Sequence, residues 1–250
     1  MKKIFKPTCL PWFTLLAGAA GFGLRLWLFQ SGVDHKGLLM PSHPAGDLTF
    51  ILTGIVLAVL ALCVRTLTPM SNYRKLFPGR LLAGIGCIAA AVGILYVDIR
   101  DLLAQSDVIT IVTTGLGVIA AACLLILSWF RWKGKRPAFW LHGAVTVYFM
   151  LHLISQYRLW SSESQLQIYF FPLMASVFLM LTAYHTAVLD EQKNGSRRFY
   201  VFCNQAGLFF CFLSLQGTSW PFYLTMAAWL ATGLCSLQPG KAISAESEES

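Results

Sequence analysis

The stretch LLAGIGCIAAAVGILYV, residues 81–97, holds no charged side chain and runs straight into Asp98-Ile99-Arg100-Asp101. A helix that is apolar on every face belongs in a protein core or a bilayer, and crossing ~30 Å of hydrocarbon at ~1.5 Å per residue takes ~20 such residues. Seven further stretches read the same way, at 10–30, 48–69, 108–130, 138–157, 167–189, 200–216 and 220–238. Together they predict an all-α, polytopic transmembrane helical bundle of eight spans. Residues 1–238 form one helical domain, and 239–250, with Glu246, Glu248 and Glu249 among serines, a disordered acidic cytoplasmic tail.

Composition agrees. Hydrophobic residues make up 56% of the 250 and charged ones 12%, about half the ~25% charge of a soluble domain. The polar segments between the spans are too short to build a separate core, so any function resides in the bundle.

Orientation follows from lysine and arginine, which are retained on the cytoplasmic side while acidic residues contribute little. With the N-terminus inside, the inner segments carry Lys2, Lys3, Lys6, Arg65, Arg74, Lys75, Arg80, Arg131, Lys133, Lys135, Arg136, Lys193, Arg197, Arg198 and Lys241. That is fifteen of the 19 basic residues, leaving Arg25, Lys36, Arg100 and Arg158 outside. Both ends are expected in the cytoplasm, with the break between the last two spans at Gln216–Pro221, where Gly217, Ser219 and Pro221 supply turn chemistry. The net charge of +8 is spread over the inner loops and not gathered on one face, which argues for topology and against nucleic acid. Lys2 and Lys3 ahead of Ala17-Gly18-Ala19-Ala20 imitate a secretory signal. Apolar character continues through Leu24, Leu26, Trp27, Leu28 and Phe29, however, and the first helix is read as uncleaved.

The seven cysteines form no CxxC pair, and neither disulfides nor thiolate metal sites are expected. His142 and the Tyr184–His185 pair fall at similar depth near the inner ends of neighbouring spans. Two histidines without a further ligand do not make a haem or metal site, so they are read as interhelical hydrogen-bonding groups, joined by Asn204 and Gln205. No cofactor is expected.

Ionisable residues at membrane depth cost at least ~2.5 kcal/mol and face protein or water. Here they gather toward the outer side: Arg25 near the end of the first span, Asp47 opening the second, Asp98, Arg100 and Asp101 closing the third, Asp107 opening the fourth, and His152, Tyr157 and Arg158 closing the fifth. Loop residues Asp34, His35, Lys36, His43 and Glu163 join the same face. Two readings compete. In one, Arg25 and Arg158 snorkel and pair with Asp47, Asp98 or Asp101, fixing helix ends. In the other, the two arginines make a fork-like site for a carboxylate or phosphate, with the aspartates orienting them or relaying protons.

The repeated Arg-Leu-Trp at 25–27 and 158–160 is a faint echo of two four-helix halves, which would be parallel repeats. HExxH, GxSxG and P-loop motifs are absent. The sequence therefore predicts a plasma-membrane protein of bacterial type whose partners are the lipid bilayer and a small polar solute, an anion in the second of those readings, bound through Arg25, Asp47, Asp98, Arg100, Asp101 and Arg158. Its alternatives are a membrane enzyme acting on a lipid or prenyl substrate, or a non-catalytic partner subunit.

Overall fold

The computed structural model describes residues 10–32, 43–67, 77, 79–104, 107–160, 166–190 and 197–237. The expected acidic tail, the loop residues Asp34, His35, Lys36 and Glu163, and the basic start lie outside them. Among the described residues the chain is helical without strands. The helices are α1 (Leu10–Ser31), α2 (Pro44–Arg65), α3 (Leu81–Ala104), α4 (Val108–Lys133), α5 (Phe139–Trp160), α6 (Leu166–Asp190), α7 (Arg197–Leu213) and α8 (Trp220–Cys235).

Five of these, α1, α2, α3, α4 and α6, are long and apolar enough to cross a membrane, which makes the chain a multi-pass membrane protein. The other three fall short for separate reasons. Helix α5 carries His142, His152, Gln156 and Arg158 along its 22 residues. Helices α7 and α8 have 17 and 16 residues, which at ~1.5 Å per residue is roughly 25 Å.

Helices α3 to α8 pack each against the next, and α8 packs back on α3, closing a six-membered ring; α1 and α2 lie against its α7 side. Neighbours in the ring run in opposite directions where glycines record the crossing. A methyl on Gly86 would overlap Thr232, and one on Gly93 would overlap Thr225. Both pairs are seven residues apart, so two turns of α3 lie against two turns of an antiparallel α8, with small residues letting the backbones close. Both threonines turn their hydroxyls onto their own helix, at Phe222 O and Trp229 O.

The outer surface is apolar. On α5, Trp140, Val147 and Ile154 are exposed while Leu141, Val145, Tyr148, Phe149 and His152 are buried, the reverse of a soluble helix and the arrangement a lipid surround requires. Exposed tryptophans collect at the helix ends: Trp12, Trp129, Trp132 and Trp140 toward one, Trp27 and Trp220 toward the other. Indoles favour the two membrane–water interfaces.

The last carbonyls of a helix lack intrahelical partners, and arginines meet some of them. Arg80 Nη1 donates to Cys235 O at 2.6 Å and Arg25 Nη1 to Leu213 O at 3.0 Å, while Arg198 Nε donates to Leu67 O, just beyond the end of α2, at 2.8 Å. A cation at a helix C-terminus also complements the macrodipole. The end of α4 is closed instead by Gly134, whose φ of 61° is left-handed and whose N–H reaches Phe130 O.

Candidate functional site

One end of the ring interior is built around the last two turns of α3. The helix continues past residue 97 to Ala104, so Asp98, Arg100 and Asp101 are carried on it and are not loop residues. Asp98 is 3% exposed. Its Oδ1 accepts a hydrogen bond from the Tyr148 hydroxyl at 3.0 Å, and its Oδ2 is buried without a partner among the described residues. Tyr148 belongs to α5, two places round the ring, and reaches Asp98 behind α4. Gly117 makes that possible: a methyl there would overlap the Asp98 carboxylate and lie 3.0 Å from the Tyr148 ring. The Tyr148 ring stacks on His152, which in turn meets Phe222 of α8.

One turn further out, Arg100 Nε and Nη2 both donate to Asp101 Oδ1, at 3.0 and 2.6 Å, and Nη2 also reaches Ser219 Oγ at 3.0 Å. Gln156 Nε2 donates to the other Asp101 oxygen at 3.2 Å. Both oxygens of Asp101 are therefore satisfied, while Arg100 Nη1 is buried and unpartnered among the described residues. This network ties α3 to α5 and to the turn before α8. Of the expected site residues, Asp98, Arg100 and Asp101 share this end.

The other three sit elsewhere. Arg158 Nη2 pairs with Asp107 Oδ2 at 2.7 Å, with both side chains about half exposed; it is a rim pair, of a kind worth ~0–1 kcal/mol. Asp47 is exposed in the first turn of α2. Arg25 is 2% exposed, but its guanidinium faces backbone and not the aspartates named for it. Nη1 meets Leu213 O, and Nη2 meets Ile168 O at 3.2 Å. Ile168 stands four residues before Pro172, inside α6; proline has no N–H, so the Ile168 carbonyl loses its helical donor and the arginine replaces it. The rings of Phe29 and Phe171 flank the guanidinium at 5.3 and 4.7 Å, contacts that favour a cation.

At the opposite end of the ring, two adjoining cavities, each with space of about 10 Å³ for the centre of a water-sized sphere, share Cys87, Arg131 and Trp229. Thr182, Thr186, Tyr200 and Asn204 add polar groups to one, and His142 to the other. His142 and His185 do not form a pair: His142 lines the cavity, while His185 stacks on Phe199. Asn204 lines the other cavity, and its Nδ2 donates to the Tyr200 hydroxyl, one turn back on the same helix, at 3.1 Å. No group of three potential metal ligands occurs among the described residues.

Between the two ends the Phe149 and Trp229 rings stack, centroids 6.1 Å apart. The buried face of α5 thus reads polar, apolar, polar along its length: His142, then Val145 and Phe149, then His152.

The residues that sequence reading missed are Tyr148, Gln156, Arg131, Tyr200 and Thr182. Tyr148 and Thr182 lie inside apolar runs without charge, and only the ring order brings them to polar partners. Arg131 counts in sequence as one more positive loop residue; the available signal was its place before Trp132 and Lys133, which α4 still includes. Comparison with known protein families, curated proteins and solved structures gives no match for this chain.

Proposed function

We propose that all eight helices cross the bilayer of a plasma membrane, and that the interior of the ring binds and passes a small polar solute. The observation that carries this reading is the buried Asp98 carboxylate, held by Tyr148 with Oδ2 left unpartnered. A carboxylate inside a membrane helix is expensive and marks a functional position, and a fixed acceptor one turn from the Arg100–Asp101 pair suits a molecule bearing donor groups. The stacked Phe149 and Trp229 separate this end from the cavities beyond, as a barrier in alternating access would. Room for about one water makes this a closed state. The short α7 fits the same reading because 13 of its 17 residues are buried among other helices and do not need to match the hydrocarbon thickness themselves.

The test is thermal unfolding of the purified full chain with acetate, succinate, phosphate, glycine or glycerol, at fixed chloride and ionic strength. At least one probe is expected to stabilise the wild type saturably and Asp98→Asn much less. If none shifts the wild type, or if the variant responds identically, the reading fails.

A further inference from the structure

The cavities at the α4–α5 end have a chemistry distinct from the Asp98 cluster. Their lining brings together Arg131, His142, Thr182, Thr186, Tyr200 and Asn204 with Cys87 and Trp229, and no carboxylate among the described residues. Asn204 and Thr182 are 1% exposed and His142 4%. Each brings a polar atom without a protein partner among the described residues: Asn204 Oδ1, Thr182 Oγ1 and His142 Nδ1. Buried polar groups are rarely left so. Two of them, on Asn204 and Thr182, belong to the lining of one small space and call for an occupant.

The charge of the lining identifies it. Arg131 already touches the Phe77 ring at 3.9 Å and the Tyr200 hydroxyl, so its position is fixed, and its positive charge is delivered to the cavity in low-dielectric surroundings. The Asn204 amide has two orientations related by exchange of oxygen and nitrogen. Turned over, Oδ1 accepts the Tyr200 O–H, Arg131 donates to the Tyr200 oxygen, and Nδ2 points an N–H into the space. The lone Asn204 acceptor is then satisfied. Thr182 adds an O–H from α6. Arg131, Asn204 and Thr182 then bring donors to the cavity. Gly233 leaves room for this on α8, since a methyl there would come within 3.1 Å of the Tyr200 hydroxyl and 3.4 Å of the amide nitrogen.

We infer that this cavity is a binding site for a single halide ion, chloride in the cell, held by Arg131 with Thr182 and Asn204. The space accepts one water-sized centre, which a chloride approaches and a phosphate or carboxylate, with several heavy atoms, exceeds. The Arg131 charge in the lining repels a cation. The site is independent of what the Asp98 end binds.

The experiment is thermal unfolding of the full chain in detergent at constant ionic strength, replacing sodium gluconate by chloride, bromide or sulfate. Chloride and bromide should raise the unfolding temperature saturably and sulfate should not. Arg131→Gln should need at least tenfold more halide for half its effect. Asn204→Leu and Thr182→Val, which change no charge, should weaken halide binding in the same direction and stand in for Arg131→Gln if that variant does not fold. A cavity holding only water would show no saturable halide effect, and that result overturns the inference. So does sulfate acting like chloride, which marks a general salt effect, and so do variants that titrate as the wild type does.

Discussion

At Arg25 two guanidinium nitrogens serve two different orphan carbonyls, one at the end of α7 and one left by Pro172. Lysine has one ammonium group and lacks the planar fork, so Arg25→Lys should cost about 1.5–3 kcal/mol, the worth of one charged hydrogen bond. Pro172→Ala restores an N–H for Ile168 O. In that background Arg25→Lys should cost less, and a double-mutant cycle by chemical unfolding measures the difference. Full additivity would show that Arg25 does not replace the proline's missing donor. At Asp98 the expectation is reversed. Tyr148→Phe removes the carboxylate's one observed side-chain partner and should destabilise by about 1–3 kcal/mol, whereas Asp98→Asn keeps an acceptor for Tyr148, relieves a buried charge and should unfold no earlier than the wild type. Asp98 was legible in the sequence because a charge at the edge of an apolar run stands out; Arg25 was legible for its depth. Their partners were not, since a carbonyl carries no sequence signature and Tyr148 lies 50 positions from Asp98.

Among the elements, the seam of α3 and α8 rests on Gly86 and Gly93 facing Thr232 and Thr225. Gly86→Val or Gly93→Val forces a branched side chain into a filled contact and should cost about 1–3 kcal/mol. Adding Thr232→Ala to Gly86→Val should recover part of the loss, and resistance to unfolding in detergent reads both. The glycine face of α3 was visible in sequence as a run of small residues, but which helix it meets was not. Helix α7 was also read only in part: its start lies at Arg197, not 200, and its end at Leu213, not 216. Its hydropathy is diluted by Asn204 and Gln205, which are buried at 1% exposure each because other helices, not lipid, surround them.

For the whole molecule, the all-helical multi-pass architecture was written in apolar runs whose length the bilayer dictates, while the closed ring depends on pairings that hydropathy does not encode. The eight-crossing topology predicts opposite readings from reporter fusions placed after Leu237 and within residues 161–165, and matching readings would defeat it. The seam that shuts the ring also sets an order in time. Gly86 and Gly93 leave the ribosome more than a hundred residues ahead of Thr232 and Thr225, a delay of roughly 7–30 s at ~5–20 residues per second. Through that interval the face of α3 destined for α8 has no partner from its own chain, and a polypeptide stopped after Leu213 never acquires one. Such a truncated product should be inserted, remain unsealed, and be removed by membrane proteases faster than the full chain.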